Sequence, residues 1–150
     1  MDERVDDSDA ARAFALAGEL RVVLGKLKRR LRDQMHMGDL TWAQTSALRR
    51  LERDGPATVT ALARDEGMRP QSMGANVGAL EAAGLISGAP DPQDGRQVIW
   101  SLTPACLEMM AASRAARQDW LMGAIQTQLS QTEQAVLVDA IDLLKRLAQS

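Results

Sequence analysis

The sequence predicts a mainly α fold with one small β-hairpin set between helices, and three observations carry that reading. The stretch GLISGAPDPQDGRQVIWSLTP, residues 84–104, has the order helix end, strand, polar loop, strand, helix start. Upstream of it, two short helical patterns meet at Gly67, and Pro70 opens the second. Apolar residues recur at helical spacing at both ends of the chain. Two short helices joined by a glycine turn form a helix-turn-helix. A two-stranded hairpin is not stable alone and must lie on the helices before it. The predicted architecture is therefore a winged helix-turn-helix with a two-stranded β wing and N- and C-terminal dimerisation helices. Its boundaries fall at 1–9 for a disordered acidic tail, 10–38 for an N-terminal helix contributing to dimerisation, 39–103 for the winged helix-turn-helix and 104–150 for the C-terminal helices.

The first helix, within 10–35, is marked by Leu16, Leu20, Val23, Leu24, Leu27 and Leu31. Its basic run from Lys26 to Arg32 reads as a solvated face, and Met35 to Gly38, with the lone His36, reads as a linker. Thr41 and Gln44 fit a capping box that opens a second helix, with Leu48 and Leu51 turned inward and a stop at Gly55-Pro56. Thr58 caps the next helix, whose buried side is Val59, Leu62 and Ala63. Pro70 sits in the first turn of the following helix, which runs to about Ala83. Gly84 supplies the left-handed position that ends it. The hairpin follows, with Leu85 and Ile86 entering one strand and Gln97 to Leu102 forming the other, which is β-branched and aromatic. Thr103-Pro104 is a helix N-cap with proline at the first helical position. The long helix to about Gln128 carries Leu107, Met110, Ala111, Trp120, Leu121 and Ile125. Ser130 and Glu133 form a second capping box. It opens a final helix with Val136, Leu137, Ala140, Ile141, Leu144 and Leu147 on one side. A monomer of this size has no evident surface to cover these terminal helices, so their apolar faces are expected to meet a second copy.

The composition narrows the function classes. One cysteine forms no internal disulfide, and one cysteine with one histidine falls short of a Cys/His metal site, so no metal and no cofactor are expected. No apolar run approaches the roughly 18 residues of a membrane span, and the acidic N-terminus has the wrong charge for a secretory signal; a reducing cytoplasm is the expected compartment. The net charge is −2, but residues 1–10 alone hold five acids and one arginine. The rest of the chain is therefore mildly basic.

The segments TWAQTSALRRL, TVTALA, RPQSMGANVGALEAAGLI, DPQDGRQVIWSLTP and LSQTEQAVLVDAIDLLKRL together resemble the MarR family of winged-helix transcription regulators over roughly residues 15–148. The D-P-x-D-G-R loop followed by Leu-Thr is the most specific of these. The resemblance implies a homodimer that binds a pseudo-palindromic operator in double-stranded DNA. It implies a repressor released by a small-molecule effector lodged between the dimerisation and DNA-binding parts. It also implies that the wing arginine, Arg96, enters the minor groove.

On the recognition helix, Met73, Val77 and Leu80 share the inward face. Arg69, Gln71 and Ser72 stand at its N-terminal end, the end that such helices present to base edges. Gln71 suits adenine, Arg69 guanine or phosphate, and Ser72 either a base or a phosphate. Ala75 and Asn76 complete the candidate DNA-contacting set, with Asp94 orienting the wing tip beside Arg96. Gly74 and Gly78, with Ala75, leave a nearly bare surface, which fits either close approach to DNA or a tight helix–helix contact. Arg49, Arg50 and Arg53 could supply phosphate contacts, with an exposed helix face as the simpler account. Three departures from the family pattern stand out: Ala75 and Ala79 where basic residues are common, Gly88 where an arginine is common, and six arginines against seven acids over residues 41–104.

Alternatives remain at this stage. A winged-helix protein-interaction module is compatible with the sparse basic residues. A thiol-based redox sensor would have to use Cys106, which stands among apolar neighbours in a predicted helix, as an inert buried cysteine does. No catalytic residues are identified: there is no glycine-rich phosphate loop and no HExxH. Trp42 is the candidate contact for an effector, in a pocket expected where the first, second and long helices meet.

Overall fold

A computed structural model describes the backbone of residues 3–35 and 37–150, and the side chains from residue 7 onward with the exception of residue 36. The elements in order are α1 (Glu3–Asp33), α2 (Trp42–Asp54), α3 (Val59–Asp65), α4 (Pro70–Ala82), β1 (Ile86–Pro90), β2 (Val98–Leu102), α5 (Pro104–Gln128) and α6 (Gln131–Ala148). The chain divides into two compact units. One holds residues 36–114, and the other residues 1–35 with 115–150, so that α5 is shared between them. His36 lies outside the described residues.

The caps are where local chemistry placed them. Thr41 Oγ1 accepts the amide of Gln44 at 3.2 Å, and the Gln44 side chain accepts the Thr41 amide at 3.0 Å. The Ser130–Glu133 box repeats this at the head of α6, with the corresponding bonds at 3.2 and 2.9 Å. Thr58 caps α3 through the Ala61 amide at 3.2 Å. Thr103 does two things. Its Oγ1 accepts the Cys106 amide at 3.2 Å and donates to the Gly84 carbonyl at 2.7 Å. The end of α4 is thereby tied to the start of α5. Gly67 and Gly84 take φ of 64° and 74°, the left-handed region that a side chain disfavours.

The core of the 36–114 unit is built on Leu48, Leu62, Met73, Leu80 and Cys106, all fully buried. Each core leucine or methionine contributes about 1.5–3 kcal/mol of burial. α2, α3 and α4 converge on it, and the hairpin covers it with Leu85 and Ile86. The hairpin is antiparallel, with Gly88 opposite Trp100. Beyond the expected two strands, Ala57 bridges to Trp100, the two exchanging amide-to-carbonyl bonds of 3.1 and 2.8 Å. The residue just before α3 thus adds a one-residue third rung to the wing.

The structure adds to or corrects the sequence reading at three places. Within the stretch expected to be a disordered tail, the described backbone of residues 3–9 is helical, because α1 starts at Glu3. That stretch contains no proline or glycine, and acidic sequence is favoured at a helix N-terminus. The buried stripe at the head of α5 runs through Cys106, Met110 and Ser113, while Leu107 is 46% exposed and Ala111 is also exposed. The Thr103 cap sets that phase, and it turns Leu107 outward. Val59 is only half-buried, leaving Leu62 and Ala63 as the inward side of α3.

In the other unit, α1 and α6 are long helices whose apolar side chains stay open. Phe14, Leu16, Val22 and Val23 on α1 are 84, 60, 50 and 50% exposed, and Val136, Val138 and Leu147 on α6 are 64, 61 and 60% exposed. None of α6 is buried, among the described residues. The guanidinium of Arg30 lies 5.5 Å from the Trp120 ring centroid, a cation–π contact that pins α1 to α5. Among the described residues, no helix is long and apolar enough to cross a membrane.

Candidate nucleic-acid interface

α4 turns Met73, Val77 and Leu80 into the core, which leaves Gln71, Ser72, Ala75, Gly78, Ala79 and Ala82 exposed on the opposite side. Pro70 occupies the first turn, where its missing amide costs nothing. Arg69 is the N-cap residue, extended at φ −71° and ψ 143°, and its side chain makes no capping bond. The helix N-terminus therefore presents unbonded amides beside Arg69, Gln71 and Ser72, an arrangement that attracts phosphate. Asn76 is turned differently. It is half-buried, with Nδ2 donating to Met68 Sδ at 3.9 Å, on the side of the turn that precedes α4.

Among the described residues of the chain, no tight helix–helix contact accounts for the bare surface. A Cβ added at Gly74 or Gly78 would meet nothing within 4 Å. No internal helix contact requires these glycines, so the face is open to an outside partner.

The wing tip is held by two Asx turns. Asp91 accepts the Gln93 amide at 2.9 Å through Oδ1, and Asp94 accepts the Arg96 amide at 3.1 Å through Oδ1. The Gln97 amide closes the loop on the Asp94 carbonyl at 3.0 Å. Asp94 therefore shapes the backbone that carries Arg96, whose side chain is exposed. Among the described residues, no carboxylate lies within ion-pair distance of Arg96 or Arg69.

Other arginines are used internally. Arg50 Nε donates to Asp65 Oδ2 at 2.7 Å and Nη1 donates to the Gly55 carbonyl at 3.1 Å, with its side chain only 11% exposed. It clamps the end of α2 to α3 and is not presented as a phosphate contact, contrary to expectation. The Arg50 bond holds the Asp65 carboxyl below its ordinary range. Arg53 bonds Asp54, Arg64 lies 3.8 Å from Asp65, and Arg114 Nη1 bonds Glu52 at 2.8 Å. Ser46 donates to Glu66 between α2 and the end of α3. These pairs brace the helix-turn-helix and mask its positive charge.

Cys106 is fully buried, and burial together with the charge of Glu52 pushes its thiol above the ordinary value. A thiol held protonated and out of solvent is a poor nucleophile. Trp42, at the start of α2, is 58% exposed, with the Arg49 guanidinium 5.8 Å from its ring centroid. A cavity of about 290 Å³ lies between α5 and α6, lined by Gln118, Leu121, Met122, Ile125, Gln126 and Gln134, and Trp42 is not part of it. Among the described residues, no group of three or more His, Cys, Asp or Glu is placed to hold a metal ion.

Fold and site together define a winged helix-turn-helix protein. The comparisons with known proteins agree. The MarR family profile matches residues 40–98, spanning α2 to the first residue of β2. An uncharacterized HTH-type transcriptional regulator from Mycobacterium bovis is 38% identical over 141 residues, covering 94% of this chain and 95% of that one. A crystal structure assigned to a transcriptional regulator of Pseudomonas aeruginosa is 33% identical, with a TM-score of 0.78, covering 93% of this chain and 97% of that one. Staphylococcus aureus MepR, in a mutant bound to an oligodeoxyribonucleotide, shares the fold at 22% identity and a TM-score of 0.69, with 89% and 96% of the two chains covered. The chain belongs to the MarR family and is a transcriptional regulator.

Proposed function

We propose that this chain is a homodimeric repressor that binds a pseudo-palindromic operator, with half-sites about one helical turn apart. The observation that carries this reading is the α4 face. It is exposed, it has no internal contact to explain its glycines, and it is flanked by Arg69, Gln71 and Ser72 on one side of the domain. Arg96, on a wing braced by Asp94, supplies a second contact in the minor groove. Pairing of two copies is supported by the apolar side chains left open on α1 and α6.

Release by a small-molecule effector follows the family pattern. Trp42 is the proposed contact, since its exposed indole beside the Arg49 guanidinium suits a planar ligand bearing an acidic group. Selection of bound duplexes from a random pool at two salt concentrations tests the reading. Enrichment of an inverted repeat, with affinity falling as salt rises, supports it. No enrichment by a folded dimer would mean either that an effector is needed for binding or that α4 and the wing serve a protein partner.

A further inference from the structure

We propose that α4 reads thymine through its C5-methyl group, so that each half-site carries T·A pairs in the major groove opposite Ala75 and Ala79. The inference rests on the DNA-binding reading above and goes beyond it by naming the bases.

The major groove is read by matched chemistry. Arginine or lysine reads guanine, glutamine or asparagine reads adenine, and an apolar group reads the thymine methyl. The only charged residue in α4 is Glu81, so the helix has no side chain that reads guanine beyond the N-cap Arg69. Asn76 is half-buried on Met68, which leaves Gln71 as the exposed amide for adenine. Along the rest of the exposed face stand the methyl groups of Ala75, Ala79 and Ala82 and the bare backbone at Gly78. Packing does not demand the glycine, because a Cβ at Gly78 meets only open space, and the three alanines are themselves exposed.

Such a face also rejects the alternative. A G·C pair pressed against these methyls would bury the cytosine amine and the guanine carbonyl without partners, an unfavourable outcome. Short side chains further let the helix backbone approach the groove closely enough for methyl–methyl contact. The wing acts in the same sense, since a narrow minor groove that favours an inserted arginine belongs to A/T-rich sequence.

The test uses the full-length dimer and the duplex obtained by selection. Thymines of each half-site are replaced by deoxyuridine, which keeps base pairing and removes only the methyl. Fluorescence anisotropy is expected to show binding weakened roughly fourfold per contacted methyl. The deoxyuridine penalty should vanish in the Ala75→Gly, Ala79→Gly double variant. Because glycine weakens a helix, Ala75→Ser with Ala79→Ser serves as a second variant, in which the penalty should shrink. Equal affinity for the thymine and deoxyuridine duplexes would overturn the inference and leave DNA binding intact, as would selected half-sites dominated by G·C. A folded dimer that binds neither duplex would overturn the DNA-binding reading and this inference with it.

Discussion

The Trp100 ring lies directly over the backbone of Gly88, its partner across the hairpin: a Cβ on Gly88 would sit 3.0 Å from Trp100 Cζ3 and 2.6 Å from Val98 Cγ1. The glycine at 88, one of the departures from the family pattern, thereby has a physical cause. Any side chain at 88 requires Val98 and Trp100 on the opposing strand to shift. The Trp100 backbone is bonded twice to Ala57, which fixes the strand that carries the ring. Gly88→Ala is expected to cost about 1–3 kcal/mol through overpacking and to weaken DNA binding by displacing the wing. Adding Val98→Ala should recover part of the loss. Thermal unfolding of the single and double variants checks this, and an unchanged melting temperature for Gly88→Ala would show that the ring has room to shift.

Arg50 ties α2 to α3 through Asp65 and the Gly55 carbonyl. Arg50→Ala should destabilise the fold by about 2 kcal/mol, the scale of a lost charge-assisted hydrogen bond. Arg50→Lys should rescue little, since an ammonium group lacks the planar fork that serves both acceptors. Urea unfolding measures both. If Arg50→Ala keeps its stability and instead loses DNA affinity, Arg50 is a phosphate contact after all.

Two carboxyls link stability to pH. The Arg50 bond lowers Asp65, and the Ser130 backbone amide, followed by its hydroxyl, lowers Glu133. A depressed folded-state value means that the unfolded chain takes up protons first as the medium is acidified. Their stabilisation is present above the ordinary carboxylate range, about pH 4, and is lost as pH falls below it through the folded-state values. The slope of stability against pH in that window should flatten in Asp65→Asn and in Glu133→Gln. An unchanged slope in both would mean that other groups govern acid unfolding.

The buried Cys106 thiol leads to a separate expectation. Cys106→Ser should cost about 1–2 kcal/mol, because a hydroxyl enters an apolar site, while affinity for DNA stays near that of the parent. Mild peroxide should leave the native protein unmodified and still bound. Rapid oxidation of Cys106 with release of DNA would restore the thiol-sensor alternative.

Much of this was legible in the sequence wherever it depended on neighbours in the chain. Thr41, Thr58, Thr103 and Ser130 cap helices through residues three positions on, so a local pattern suffices. The inward face of α4 followed from periodicity alone. Interactions between distant residues were hidden. Ala57 joins the wing as a single bridge residue, with no run of strand formers to mark it. Arg50 looked like a surface cation because Asp65, its partner, lies fifteen residues away. Asn76 was a candidate DNA contact by position, yet it is half-buried and its amide reaches Met68 in the turn before α4. The bare face of α4 had two readings until the surroundings of Gly74 and Gly78 were seen.

The central claim is that α4 and the wing hold DNA together, and titration of the selected duplex with the parent, Gln71→Ala and Arg96→Ala proteins tests it most directly. Both variants should bind more weakly. Arg96→Ala should also lower the salt dependence by about one counterion, while Gln71→Ala should leave it unchanged and relax the preference for adenine. Parental affinity and salt dependence in both variants, with the fold intact, would contradict the account.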